Sequence, residues 1–579
     1  MHDLVIRDGT IVDGSGGEPF VGSVAIDGPT ITAVEPSGAG SGALDRGRRE
    51  IDAAGLVVTP GWVDFHTHYD AQATWDSDLT PSGWHGVTTV VMGNCGVGFA
   101  PAAPDRHDWL IGLMEGVEDI PGAALHEGIQ WSWESFPEYL DALDTRRWVM
   151  DVGTQVPHGA LRAYVMGDRG AANEPATATD RAAMRRLTRE ALAAGALGVS
   201  TSRTPLHKSV DGELVPGTTA DLDEVFALGD AMVDAGHGVF QAALEHQAIR
   251  EAFPWLAELA RRTGRRVTFN LQQTDQAPGL WHDAVAFLDR CATEGTPVFA
   301  QVHGRPVGVL QGWGATIHPF SLKAAWGQLA FLPPAERLVA LRTETVRHDL
   351  IDGPPADLDF GDFATFLTTS WHKMFCFEGE TDYEPPPESS VAEIAARTGR
   401  RPEDVAYDHL LTNRGEGVLY FPLFNYSDGN LDLLWSLHQH PRTRMGLADG
   451  GAHVGSICDG STPSFMVTFW TRDRRRGERL PLPLIVRRQT HDTAEHYGLT
   501  DRGRLAPGLR ADVNVIDLEH LDVHRPTLAY DLPGGAKRFV QGSDGYRFTI
   551  CRGDVVREDD EFTGATPGRL VRGPQSRPA

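Results

Sequence analysis

The chain has 579 residues, with 52 Lys and Arg against 79 Asp and Glu, giving a formal net charge of −27. A surplus of that size repels polyanions, so nonspecific binding to nucleic acid or to an anionic membrane surface is not expected. No apolar stretch reaches the ~20 residues that span a bilayer, and the length suits one large domain with a smaller one beside it.

The opening MHDLVIRDGTIVDG lacks the basic start and apolar core of a secretory leader and reads as a strand pair about an Asp-Gly turn. Short β-runs separated by Gly and Asp continue to about residue 58, and the same texture returns in RLAPGLRADVNVIDL and KRFVQGSDGYRFTICRGDVVRED. Residues 1–60 and 500–565 are therefore expected to form one β-sandwich domain from both chain ends. The segment 566–579, rich in Pro, Gly and Arg, is expected to be a disordered tail. The five cysteines (Cys95, Cys291, Cys376, Cys458 and Cys551) are scattered and form no C-x-x-C pair, which points to free thiols in a reducing, cytoplasmic compartment.

Between the ends, residues 61–499 alternate apolar strand segments with amphipathic helical ones such as DRAAMRRLTREALAAG and DLDEVFALGDAMVDAG. The strands expected are VTPGWVDFH, GVTTVVMGN, WVMDVGTQV, ALGVSTS, GVFQAAL, RVTFNLQ, TPVFAQV and RMGLADG. Eight strands alternating with helices predict an α/β fold of the (β/α)8 TIM-like barrel type. Residues 304–443, between the seventh and eighth strands, are too many for a loop, and they carry the aromatic segment TTSWHKMFCFEGETDYEPPPESS. An insertion after a strand's C-terminal end sits over the barrel mouth, so this one is expected to act as a lid or to shape the substrate site.

Barrel enzymes assemble their sites from strand C-terminal ends. The first strand runs into His66-Thr67-His68, and residues two apart on a strand face the same way, which aims both imidazoles at one point. Neutral imidazole suits zinc and similar divalent ions. Asp449, in LADGGAH after the eighth strand, can ligate such an ion and take a proton from the attacking water. Cys95, after the second strand, offers either a thiolate ligand or an inert buried thiol. His158, His246, His303 and His453 lie at other strand ends, as does Gln241. Arg162, Arg203, Arg305 and Lys373 are candidates to hold a substrate carboxylate, arginine by its bidentate fork.

VIRDGTIVDGSG, GWVDFHTHYD, GVTTVVMGNCGVGFAP, HGALR, ALGVSTS, LADGGAH and DRGRLAPGLRADVNVID together resemble the amidohydrolase superfamily, and specifically its D-aminoacylase (N-acyl-D-amino-acid deacylase) branch. The resemblance implies a distorted (β/α)8 barrel beside a β-sandwich, and zinc-dependent hydrolysis of an amide. It also implies His66 and His68 as first-strand ligands, Cys95 as a thiolate ligand that often bridges two ions, and Asp449 as ligand and general base. The family's fifth- and sixth-strand histidines are missing: those positions fall at Ala243 and near Asn270.

The function expected is hydrolysis of a small-molecule amide C–N bond, as in an N-acyl-D-amino acid, with one or two divalent ions, Zn2+ or another. His158, Gln241 and His453 would join the four cations in binding substrate. Alternatives are a cyclic amide, imide or aryl amide as substrate, a lyase or decarboxylase on the same frame, and a metal-free binding protein. Superfamily relatives are often homo-oligomers, so an oligomer lies within the expectation.

Overall fold

The structure, a computed structural model, describes residues 1–38, 44–357, 361–377, 379 and 381–576. The two chain ends meet in a single nine-stranded sheet. Its central joint is Val57–Pro60, which pairs in parallel with His2–Ile11 on one side and antiparallel with Val513–Ile516 on the other. Strands 20–27 and 30–36 extend it at one edge, and 546–551, 554–558 and 561–562 at the other. Ile6, Val24, Ile51, Val58, Val513 and Ile550 form one apolar cluster on this sheet. Burying that face is what ties the N-terminal and C-terminal segments together.

One residue beyond Val57–Pro60 the parallel strands begin. They are β1 (Trp62–Asp64), β2 (Val87–Met92), β3 (Asp151–Thr154, continued by Val156–Pro157), β4 (Gly198–Arg203), β5 (Val239–Leu244), β6 (Val267–Asn270), β7 (Val298–Val302) and β8 (Thr443–Met445). All eight overlap the apolar segments picked out above, three of them running one residue past an end. β1, β2 and β3 pair in that order, and the continuation of β3 opens a second parallel sheet running through β4, β5, β6 and β7 to β8. Thr67, just after β1, bridges in parallel to Gly450, just after β8. Every residue of β2, β5 and β7 is buried, as expected for parallel strands covered by helices on one side and by packed side chains on the other.

The helices start and stop on local signals. Thr177 and Asp180 make a reciprocal capping box at the head of Ala178–Ala194. Leu222–Ala235 ends on Gly236 at φ 80°, a left-handed conformation that glycine adopts without strain. No helix among the described residues is long and apolar enough to cross a membrane.

The insertion has a core of its own. Gly308–Gln311, Leu419–Pro422 and Phe375–Cys376 form a three-stranded antiparallel sheet. Trp313, Phe320, Leu341, Leu350, Tyr407 and Phe421 pack with it in a cluster separate from that of the parallel strands. The segment thus buries its own apolar surface and is a substructure rather than a loop.

The expected disorder beyond 565 does not hold for the described residues. Val152 in β3 donates to the Arg569 carbonyl at 3.0 Å and accepts from the Val571 nitrogen at 2.8 Å. Leu570 and Val571 are buried, and Gln575 bridges to Leu499. Composition suggested a free tail, but backbone groups of β3 that no neighbouring strand reaches supply partners for it.

Candidate metal centre

His66 and His68 are nearly or wholly inaccessible, at 0% and 2% exposure. Thr67 between them faces the opposite way, and its hydroxyl donates to the Val91 carbonyl of β2. The two imidazoles therefore share a face, with ring centroids 5.4 Å apart. Backbone pairing brings Asp449 to the same place: its nitrogen donates to the His66 carbonyl at 3.1 Å, and the His68 nitrogen to the Gly450 carbonyl at 2.8 Å. Asp449 Oδ1 stands 3.3 Å from His66 Nε2 and 3.7 Å from His68 Nε2.

Cys95 completes the group, with Sγ 3.3 Å from His66 Nε2. Its backbone is left-handed at φ 54°, and its N–H is fixed by donation to Gln241 Oε1 at 2.8 Å. The next residue must be glycine, because a Cβ at Gly96 would stand 2.5 Å from the Ser202 nitrogen. Leu447, Asp449 and His453 are also non-glycine residues at positive φ, of 62°, 47° and 49°. Strained backbone of this kind concentrates at functional sites, where the surrounding structure enforces it.

Ligand atoms of His66, His68 and Cys95 all lie within 4.8 Å of one another. Two residues outside the expected set orient the imidazoles. His66 Nδ1 lies 2.5 Å from Gln301 Oε1 on β7, so the proton sits on Nδ1 and the Nε2 lone pair faces Cys95 and Asp449. His68 Nδ1 lies 3.0 Å from Glu118 Oε1, at the end of helix His107–Glu118. Ligating histidines are typically held by such outer partners. Gln301 left a readable signal in the sequence, a lone polar residue inside VFAQV. Glu118 left none, because acids are ordinary on helices.

Burial pushes the Asp449 carboxyl up to about 6 and the Cys95 thiol up to about 11. Burial also drives His66 well below the usual imidazole range. For His68, burial pulls down, but the Glu118 carboxylate and Cys95 together outweigh it and hold that imidazole well above. Two imidazoles, a thiol and a carboxylate converging in a dry site form a donor set suited to a borderline divalent ion. A cation there would relieve the desolvation that now opposes ionisation of Cys95 and Asp449.

The other residues singled out from the sequence fall into two groups. Gln241 and His453 are at the cluster, the first through Cys95 and the second in the turn after Asp449, whose ionised carboxylate it favours. The cations and His158 have partners within the protein. Arg162 and His158 both engage Glu224, at 2.8 Å and 2.7 Å, in a fully buried group. Arg305 pairs with Asp459 at 2.9 Å and stacks on Tyr383. Lys373 pairs with Asp275. On β4, Ser200 donates to the Gly93 carbonyl and Ser202 contacts His207, whereas Thr201 meets His158 and Arg203 lies over Trp255 in the helical layer. Strand alternation thus turns Arg203 away from the cluster. At the two positions lacking histidine, Ala243 is fully buried and Asn270 Oδ1 has no hydrogen-bond partner. His246 lies beyond the end of β5 against Phe424, at 5.9 Å between ring centroids, and does not take their place.

Residues 49–557 match the amidohydrolase family. The chain belongs to that family. Within it, the similarity is to the D-aminoacylase branch. An N-acyl-D-glutamate deacylase of Alcaligenes xylosoxydans xylosoxydans is 28% identical over 588 residues, covering 97% of this chain and 98% of that protein. The N-acyl-D-aspartate deacylase of the same organism is 26% identical over 577 residues, covering 98% and 95%. Among solved structures, a D-aminoacylase studied for its binuclear metal centre superposes with a TM-score of 0.64 at 24% identity, over 99% of this chain and 100% of that one. An N-acyl-D-glutamate deacylase of Bordetella bronchiseptica, complexed with zinc and a phosphonate inhibitor, gives 0.64 at 23%, with the same coverage. This amidohydrolase is accordingly a metal-dependent enzyme acting on carbon–nitrogen bonds other than peptide bonds, with one or two divalent ions as cofactor.

Proposed function

We propose that this amidohydrolase removes the acyl group from an N-acyl-D-amino acid, on a closed (β/α)8 barrel. The Thr67–Gly450 bridge and the run of β3 into the second sheet support closure. The observation that carries the activity is the convergence of His66, His68, Cys95 and Asp449. A divalent ion held by these residues supplies Lewis acidity to the amide carbonyl and lowers the pKa of water.

Asp449 accepts a proton from the attacking water as the new C–O bond forms, and returns it to the nitrogen as the C–N bond breaks. The products are a carboxylic acid and a free amine. Gln301 and Glu118 keep the imidazole nitrogens aimed at the centre, and Gln241 holds the Cys95 backbone in its strained conformation. The phosphonate complex of the Bordetella deacylase concerns a mimic of a tetrahedral intermediate, the geometry that attack of water on an amide would produce here.

One observation favours a second substrate class. Arg162, Arg305 and Lys373 are already paired with carboxylates and Arg203 lies over Trp255, so none of the four is an unpaired cation awaiting the carboxylate of an acyl amino acid. A cyclic amide, imide or aryl amide needs no such cation.

Amine release from N-acyl-D-amino acids and their L-enantiomers, together with ring opening of cyclic imides to the amic acid followed by chromatography, tests the proposal. It is run beside metal analysis of wild type and of His66→Ala/His68→Ala. The expected result is bound divalent metal lost in the double variant, with amine released from the D-series. Ring opening of cyclic imides alone selects the second reading, and neither amine nor amic acid from any of them overturns both. In the same assay, Gln301→Leu is expected to weaken metal affinity by about 10–100-fold. The readout is the chelator concentration that strips half the ion, and wild-type retention would remove Gln301 from its orienting role.

A further inference from the structure

A cavity of about 640 Å³ lies between the insertion and the C-terminal hairpin, and none of the metal-centre residues lines it. That volume is in the range of small-molecule sites. Trp313, Leu341, Leu528 and Phe539 supply apolar wall. Arg337, Arg414 and Arg525 also line it, against a single lining acid, Glu416, which is exposed. This excess of positive charge stands out in a chain of net charge −27.

Arg337 is the decisive residue. It is only 8% exposed, yet among the described residues no carboxylate pairs with it. Its one hydrogen bond, to the Ala330 carbonyl, is a long 3.4 Å, and its guanidinium sits 5.7 Å from the Trp326 ring centroid. Lys537, half-buried nearby, adds to the unbalanced charge: it donates to the Gly314 carbonyl, and the two cations repel. The carboxylate that Lys537 does feel, Asp119, has its oxygens taken by the Thr316 and Ser456 hydroxyls. A buried cation without a counter-charge is costly. The chain's other deeply buried arginines, such as Arg162, Arg305 and Arg474, all have carboxylate partners. Trp313, which also lines the cavity, is 3% exposed and has an indole N–H with no partner.

We infer that this cavity is a second ligand site, which binds a small organic anion, a carboxylate or sulfonate on an apolar or aromatic body, through Arg337. The anionic head supplies the missing counter-charge, and the body covers the apolar wall. The inference is independent of the reaction at the metal centre.

The test is isothermal titration of the full-length protein with 2-naphthoate and, as the neutral control, 2-naphthamide. Wild type is expected to take one equivalent of naphthoate outside the metal centre, shown by its persistence in His66→Ala/His68→Ala, and to bind the amide at least about tenfold more weakly. Arg337→Gln removes the charge, and Leu338→Trp fills the cavity from its partly exposed rim. Each is expected to weaken naphthoate by at least about tenfold with an unchanged circular dichroism spectrum. The Leu338 variant keeps the test decisive if Arg337→Gln misfolds. Naphthoate binding that is absent from wild type, equal for the amide, or unaffected by the folded variants overturns the inference.

Discussion

Replacing Asp449 by asparagine is expected to lower kcat by about 10²–10⁴-fold while leaving the fold intact. Asparagine is the informative choice because the residue sits at φ 47°, and asparagine tolerates the left-handed region better than alanine or other side chains. Alanine would combine loss of the carboxylate with backbone strain in the turn that also carries His453. Asparagine keeps the shape and an oxygen near His66 and His68 but cannot accept a proton from water at neutral pH. The measurements are steady-state kinetics on an active amide, circular dichroism and metal content. Turnover within about twofold of wild type in a metal-loaded variant would remove Asp449 from proton transfer, and the effect expected of a general base is far larger than that.

Glu224→Ala is expected to cost about 3–5 kcal/mol of stability, the usual result of breaking a buried ion pair from one side. The carboxylate is 1% exposed and accepts from Arg162 Nε at 2.8 Å, with His158 Nε2 at 2.7 Å. Removing it strands a guanidinium that is itself fully buried, and its remaining donations to the Gly170 and Glu174 carbonyls carry no counter-charge. The loss reads out as a lower denaturant midpoint at unchanged slope. Metal content per folded chain is expected to hold, since the group is built from the helical layer and not from the cluster. A variant of wild-type stability with a raised KM would instead restore Arg162 and His158 to the substrate site. The experiment thus separates a structural cation from a recognition cation, which residue type alone does not do.

The strand pattern shows how far local sequence reached. Apolar runs such as VTTVVM and VFAQV bury every residue whatever their neighbours, so the eight strands could be read from composition and spacing. The insertion was visible from its length. The tail was misjudged because Pro, Gly and Arg describe a segment's own preference, whereas Leu570 and Val571 are ordered by the edge of β3, more than 400 residues earlier.

At the site, the sequence by itself determined the H-x-H pair. A strand's period of two is a local property, and it put His66 and His68 on one face before any tertiary contact was known. It also marked Cys95 and Asp449 as strand-end ligands and showed that Ala243 and Asn270 stand where histidines were expected. Only the tertiary structure decided which polar and charged groups face that centre. Gln301 reaches His66 across 235 residues of chain, and Glu118 reaches His68 from the end of a helix. Arg162, Arg305 and Lys373 turned out to neutralise Glu224, Asp459 and Asp275. A buried charge must find its counter-charge wherever the fold brings one, and that depends on register and packing between distant segments. Ligand geometry set by one strand is legible in a sequence, and the pairing of buried charges between elements is not.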